Sequence, residues 1–409
     1  MITPDGRTWQ PARACRHLAK REPAGHIAVM IEPRSMGEGA GVPQRLTAPE
    51  AASALLLTAI GGPLAPRRVP LEQALGLVLA APLVAAEPVP DRPAAARDGW
   101  AVPAMETLGA GPYAPAPLSR APHRVSPGEP MPPGTDAVLP PFDLDSEGPL
   151  PQALAALAPG EGVRRPGEEI AAGCVLRSAG ERLLARDLPA LAALGITSAM
   201  VRAPRLAWIT ADPGLDTLRP FIAALAREAG ASLHPAAPVA ANAGAIAAAL
   251  RAAAAGHDLV LLAGGTGEGP EDHAAAGLSE AGRLLFHGIG ALPGMATGAG
   301  IVEGRPVLLL PGRAEDAIAA WILLVGPALD AMTGAATAPP LRLRLTRKVA
   351  STVGLAELVP LRLDGTGGAE PLAVGALPLA ALSAAAAILL VPPGTEGYEA
   401  GTDIAAQAL

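Results

Sequence analysis

The sequence predicts a multidomain α/β protein centred on a doubly wound sheet of parallel strands. Three observations predict it. Residues 204–335 alternate continuous apolar runs with alanine-rich helical stretches, as parallel strands covered by helices on both faces do. Residues 86–160 lose helical periodicity and fill with Pro and Gly in short runs, which reads as a small β-rich insert. The 409-residue chain is 50% hydrophobic but only 2% aromatic, so its sizeable core must be packed from Ala, Leu, Val and Ile.

Taken in order, residues 1–45 are rich in Arg, Pro and Gly and lack a signal-peptide apolar core. They read as a disordered extension or a mis-called start, with Met36 as a second candidate initiator. Thr47 stands where it caps a helix over Ala48–Ile60, with Glu50 at the capping-box position. Residues 67–85 read as strand, helical turn and strand. The insert follows over 87–160. Residues 161–203 return to a mixed pattern and close with a helix, Ala185–Leu194, stopped by Gly195. Residues 46–86 and 161–203 thus form a split linker domain around the insert.

The central domain, 204–335, opens with the strand RLAWIT, the helix Leu218–Ala229, the strand SLHPAAP and the helix Ala243–Ala255. The strand DLVLLAGG and the helix Asp272–Ala281 follow, then the strands LLFHGI and RPVLLLPG and a long helix, Ala314–Met332. A short APP linker at 338–340 leads into a C-terminal β domain; with the linker's first residue the domain spans 338–409.

Charge and composition exclude several classes. The net charge is −7 with a pI near 5.6, and no basic patch carries interleaved aromatics, so nucleic acid is not expected as a partner. Cys15 and Cys174 form no CxxC pair, and the His residues show no HxH or HExxH spacing. That pattern suits a reducing compartment without a zinc site. No apolar run reaches the roughly 18 residues of a membrane helix; the stretches near 317–329 and 384–393 are interrupted by Gly-Pro or Pro-Pro. A cytoplasmic protein away from membranes is expected.

Residues 256–272, GHDLVLLAGGTGEGPED, carry the strongest functional signal. A buried-strand run ends in Gly264 and Gly265, passes Thr266 and a Gly267–Glu268–Gly269 bracket, and closes on Asp272. Strand, glycine turn, acid and helix together present backbone N–H groups and a carboxylate to a phosphate-bearing ligand. Asp272 also stands where it can cap the following helix, and the turn can equally be structural. Two more strand ends carry distinctive residues: Ile209-Thr210 leads to Asp212, and Leu309-Leu310 leads to Pro311, Gly312 and Arg313. Asp98 in ARDGWAV and Glu169 in RRPGEEIAAG complete a set of four acids. Each has a simpler reading: an Asx turn at Asp98, a solvated acid beside Arg164 and Arg165 at Glu169, and turn chemistry before Pro213 at Asp212.

With PGEPMPPGTDAVL at 127–139, ALPGMATG at 291–298 and LLLPGR at 308–313, these blocks stand in an order that resembles the molybdopterin molybdenumtransferases and the related gephyrin E domain. The resemblance spans about residues 46–409. It implies a Mog-like central domain, a split domain, a β insert and a C-terminal β-barrel-like domain, in a homodimer with clefts between domains. It implies insertion of molybdate into adenylylated molybdopterin with release of AMP, assisted by Mg²⁺. On this resemblance Asp98, Glu169, Asp212 and Asp272 are the catalytic acids, with Asp272 and Glu169 at the metal. Gly264, Gly265, Thr266, Gly269, Pro293, Gly294, Pro311, Gly312 and Arg313 then bind the cofactor. A molybdoenzyme or another protein of the cofactor pathway is an expected partner.

The chain also departs from the family pattern. Leu292 and Met295 stand where the family has lysines, Ala263 and Gly267 where it has serines, and Arg313-Ala314 where it has Asn-Pro. Arg313 is the one cation gained at a strand end and can replace the lost charge. The alternative reading is a degenerate relative that binds molybdopterin as a scaffold.

Overall fold

The computed structural model describes residues 46–211 and 213–409; the expectations for residues 1–45 and for Asp212 fall outside them. The central sheet is built from β1 (Arg205–Thr210), β2 (Ser232–Pro235), β3 (Leu259–Ala263), β4 (Arg283–His287), β5 (Gly298–Val302) and β6 (Arg305–Leu310). Its order is β2-β1-β3-β6-β5-β4. The first four strands are parallel, β5 is antiparallel to β6, and β4 is antiparallel to β5. The wholly parallel sheet expected from the sequence is therefore corrected to a mixed one. The missed strand is β5, GAGIV, whose glycines disguise it.

Alternate residues of the parallel strands face opposite sides, and both sides are covered. Leu206, Trp208, Leu261 and Leu308 pack against α1 (Arg219–Glu228), the N-terminal helix Pro49–Ile60 and the helical rod Ala314–Thr333. Ala207, Ile209, Leu262 and Leu309 pack against α2 (Ala243–Ala254) and α3 (Ala274–Ala281). The chain goes from β1 outward to β2 and then back across to β3, so the direction of winding reverses between β1 and β3. Ligands of such sheets bind beyond the carboxyl ends at that point.

Three local expectations are revised. Thr47 does not cap the first helix. The helix starts at Pro49 without a side-chain cap, because the Thr47 backbone is used in a bridge to Ile289, with its N–H on Gly288 O at 3.0 Å. Gly326-Pro327 does not interrupt the long apolar stretch. A π turn, Trp321–Val325, widens the rod, and Pro327 falls in the first turn of Gly326–Thr333, where its missing N–H is tolerated. The resulting 20-residue helix is long and apolar enough to cross a membrane by length and composition alone, but 61% of its apolar window is buried inside the protein.

Around this centre, the strand Ser198–Arg202 pairs with both Arg67–Pro70 and Val78–Leu79, so the two flanks of the insert close on each other. Residues 94–153 form short paired strands. In the C-terminal region the strands Ala356–Leu363, Gly368–Pro371, Leu341–Leu345, Asp403–Ala408 and Ala387–Val391 pair in that order and close into a barrel. Its core is aliphatic, with Leu345, Val359, Leu361 and Val391 buried. The short strand Ala291–Leu292 adds in parallel to the barrel at Ala356-Glu357, which joins a central-domain loop to it.

The linker region is pinned by Arg177, whose guanidinium donates to Asp187 at 2.9 and 3.0 Å. Burial raises the Asp187 carboxyl, but Arg177 and the Leu184 amide outweigh it and leave its pKa below the ordinary value. The folded state thus holds this proton less tightly than the unfolded chain. The stabilisation is complete above the unfolded carboxylate pKa of about 3.9 and is lost as pH falls through the lower folded value. Asp187→Ala should cost about 1–3 kcal/mol at neutral pH, because it strips a half-buried guanidinium of its main partner. Urea denaturation at pH 7 and pH 3 checks this: the difference from wild type should shrink at the lower pH.

Candidate functional site

The glycine turn leaves the middle of the sheet. Gly264 N–H donates to Leu310 O at 2.9 Å, which seats the end of β3 beside the end of β6. Gly264 and Gly265 have φ values of 85° and 63°, a left-handed pair that side chains with a Cβ adopt at a cost. The turn is closed by Ala274 N–H on Gly265 O at 2.9 Å. Between these ties, the N–H groups of Thr266, Gly267 and Glu268 find no acceptor among the described residues. A run of free amides after a left-handed pair is a concavity suited to an oxyanion.

Asp272 lies at the rim of this concavity. Its Oδ2 accepts the Gly269 N–H at 2.8 Å, and its own N–H donates to Gly269 O at 3.0 Å. A Cβ at Gly267 would lie 2.6 Å from Asp272 Oδ2, so a side chain there would push the carboxylate aside. The helix expected from Asp272 starts instead at Ala274, with His273 as its uncapped N-cap. The carboxylate is already used on Gly269, so capping is not its role.

A second loop, between β4 and β5, comes to the same edge. Its Leu292–Pro293 peptide is cis. Gly294 N–H donates to Asp316 Oδ1 at 2.7 Å, and buried Thr297 donates its hydroxyl to Gly294 O at 2.6 Å. Asp316 belongs to α4 (Ala314–Ala320), the helix that follows Pro311 and Gly312. Arg313, 78% exposed in its side chain, pairs with Glu315 and lies 3.7 Å from Asp316 Oδ2. The cation expected to replace the lost lysines is therefore accompanied by two carboxylates. Met295 stays partly exposed where an ammonium was expected.

Asp98 and Glu169 sit on another paired segment. Val163-Arg164 pairs with Ala95-Ala94, just ahead of Asp98, and Arg164 forms an ion pair with Glu169. Asp98 is exposed at the start of the strand Gly99–Val102; beside it Arg97 clamps the Val138 carbonyl at 2.7 Å. Among the described residues no hydrogen bond or ion pair joins Asp98 or Glu169 to the central glycine turn, and no three His, Cys, Asp or Glu side chains gather as a metal cage. The structure therefore gathers residues 264–269, 293–294 and 311–313 with Asp272, and it groups Asp98 with Glu169 separately. Two residues not singled out for the site, Asp316 and His287, tie its loops together; His287 Nε2 donates to Thr266 O at 2.8 Å. An acid in the first turn after Pro-Gly-Arg was the only sequence signal for Asp316.

Comparison with known proteins covers most of the chain. Residues 47–195 match the family described as MoeA N-terminal region (domain I and II), 204–331 match the Probable molybdopterin binding domain, and 342–409 match the MoeA C-terminal region (domain IV). Molybdopterin molybdenumtransferase 2 of Mycobacterium tuberculosis is 29% identical over 307 residues, covering 66% of this chain and 76% of that protein. Molybdopterin molybdenumtransferase 1 of the same organism is 26% identical over 397 residues, covering 82% and 93%. Among solved structures, the molybdopterin biosynthesis MoeA protein of Pyrococcus horikoshii superposes with a TM-score of 0.69 at 24% identity, over 89% of this chain and 99% of that one. A molybdenum cofactor biosynthesis protein from Pyrococcus furiosus superposes at 0.58, also at 24% identity, over 89% and 100%. These superpositions bear out the mixed α/β architecture with its barrel-like C-terminal domain.

The geometry of the turn makes a prediction of its own. Asp272→Ala removes the acceptor of the Gly269 N–H, so hydrogen exchange at the Gly269 amide should accelerate about tenfold, the factor for losing one hydrogen bond of ~1.4 kcal/mol. The melting temperature should hardly move, because the turn lies outside the core.

Proposed function

The chain belongs to the MoeA family of molybdopterin molybdenumtransferases and acts in molybdenum cofactor biosynthesis, and we propose that it inserts molybdate into adenylylated molybdopterin with release of AMP. The observation that carries this reading is the run of free amides at 266–268 beside the Asp272 carboxylate. Both substrates bring oxyanions, and such amides hold phosphate or molybdate without a full positive charge. In the reading supported here, Thr266, Gly267 and Glu268 grip the pyrophosphate bridge by their N–H groups. Gly264, Gly265 and Gly269 shape that grip. Pro293-Gly294 and Pro311-Gly312 flank it from the neighbouring strand ends, and Arg313 adds charge at the rim.

Mg²⁺ fits this site in one form only. It commonly takes one or two protein carboxylates and completes its shell with substrate phosphates and water. Asp272 can supply such a carboxylate, and Glu169 is the second candidate, although Arg164 holds it on another segment. Bound there, the ion would neutralise charge on the phosphates. Asp272 orients the bridge from the central domain, and Asp98 with Asp212 orients water or substrate. Asp98 and Glu169 lie on a segment separate from the turn. That separation supports a homodimer whose clefts bring the two sets of acids together.

The domains follow the same reading: a split linker domain (46–86 and 161–203), an insert (87–160), a Mog-like domain (204–335) and a C-terminal domain (338–409), in a cytoplasmic protein that hands its product to a molybdoenzyme or pathway partner. The scaffold alternative is not favoured, since the curated relatives carry the transferase name along most of the chain.

The test is AMP release from adenylylated molybdopterin with and without molybdate. Wild type should release AMP in a molybdate-dependent manner. Asp272→Asn should lower kcat about 100-fold, within the range expected for removing a catalytic charge. Arg313→Ala should weaken molybdate binding about tenfold, and an unchanged affinity would remove Arg313 from the site. Wild type that binds molybdopterin but releases no AMP would select the scaffold reading.

A further inference from the structure

We infer that His287 is a positioning residue that aims the Gly267 N–H at the ligand and couples the glycine turn to the 288–297 loop. The inference deepens the reading of residues 266–268 as the phosphate grip and rests on it.

His287 is the last residue of β4, opposite Gly298 at the start of β5. The loop between them, 288–297, holds the cis Leu292–Pro293 peptide and Gly294. It is closed at its base by Gly288 N–H on Thr297 O and Ile289 N–H on Met295 O, both at 2.9 Å. The imidazole therefore stands at the root of one ligand-flanking loop. From there it reaches the other: Nε2 lies 2.8 Å from Thr266 O. A carbonyl can only accept, so Nε2 carries the proton in this contact. Next to Nε2, ring carbon Cδ2 lies close to the Gly298 backbone, where an added Cβ would sit 3.2 Å from it. Packing against Gly298 thus limits the ring while its N–H holds the carbonyl.

The consequence follows from the planarity of the peptide bond. The Thr266 carbonyl and the Gly267 N–H belong to one rigid unit and point in opposite directions. Fixing the carbonyl toward β4 fixes the amide toward the opposite side, where Gly267 has no acceptor among the described residues. Gly267 lacks a side chain to restrict its own backbone, so an external hold is what keeps this peptide unit from rotating. His287 supplies that hold across 21 residues of sequence. Because the same residue roots the 288–297 loop, a shift of that loop is transmitted to the amide that grips the phosphate.

The experiment compares His287→Phe, which keeps a ring against Gly298 but has no donor, with His287→Gln, which restores an N–H of similar reach. In the ligand-free protein the Gly267 amide resonance should shift or broaden in H287F and return toward wild type in H287Q, with little change in melting temperature. KM for adenylylated molybdopterin should rise about tenfold in H287F with kcat within about twofold, and H287Q should recover most of the loss. An unchanged KM in H287F, or H287Q behaving like H287F, overturns the inference. If wild-type protein releases no AMP, the function reading fails separately. Titration with molybdopterin then reads the coupling directly: about tenfold weaker binding in H287F supports it, and equal binding overturns it.

Discussion

Everything at the site depends on the burial of β3 between β1 and β6. All five residues of Leu259–Ala263 are buried, and the strand is paired on both edges. A strand with no access to water must satisfy each N–H and C=O within the sheet. That satisfaction runs as far as Gly264, whose N–H still reaches Leu310 O. Past it the ladder ends, and the next amides are released together, at the point where the winding of the sheet reverses. The concavity proposed for an oxyanion is thus the first place where a fully buried strand can leave backbone donors unpaired.

The surrounding loops are arranged to keep those donors in place. Asp272 folds back onto Gly269, Asp316 holds Gly294, and His287 holds Thr266. Each contact is one hydrogen bond, individually worth about 1 kcal/mol net. Their value lies in geometry, because each fixes one peptide plane in the turn or in the loop beside it. The barrel contributes through Ala291-Leu292, which pairs in parallel with Ala356-Glu357 immediately before the cis-proline loop. The C-terminal domain thereby sets the register of a loop at the central site.

Much of this was legible in the sequence. The continuous apolar runs of β1, β3 and β6 announced buried parallel strands, and the glycine pair after β3 announced the turn. The blocks around Asp98, Glu169 and Asp272 announced the family. What stayed hidden shares a physical cause. β5 reads GAGIV because close packing in the sheet favours small residues there, so its composition imitates a loop. Pro327 looks like a helix breaker until the preceding π turn places it at a helix start. Asp316 and His287 act on partners 22 and 21 residues away, and no local spacing encodes contacts made by strand pairing. The separation of Asp98 and Glu169 from Asp272 is likewise a matter of domain placement, which neighbouring sequence does not record.

Backbone amides 266–268, with Asp272 at their edge, are the proposed phosphate grip. The most direct measurement is a crystal structure of the protein with adenylylated molybdopterin. Pyrophosphate oxygens should lie within hydrogen-bonding distance, about 3 Å, of the Gly267 amide and at least one of its neighbours. Asp272 should keep its bond to Gly269 in that complex. A pterin bound with its phosphates away from this turn, and no ligand atom on the three amides, would contradict this assignment.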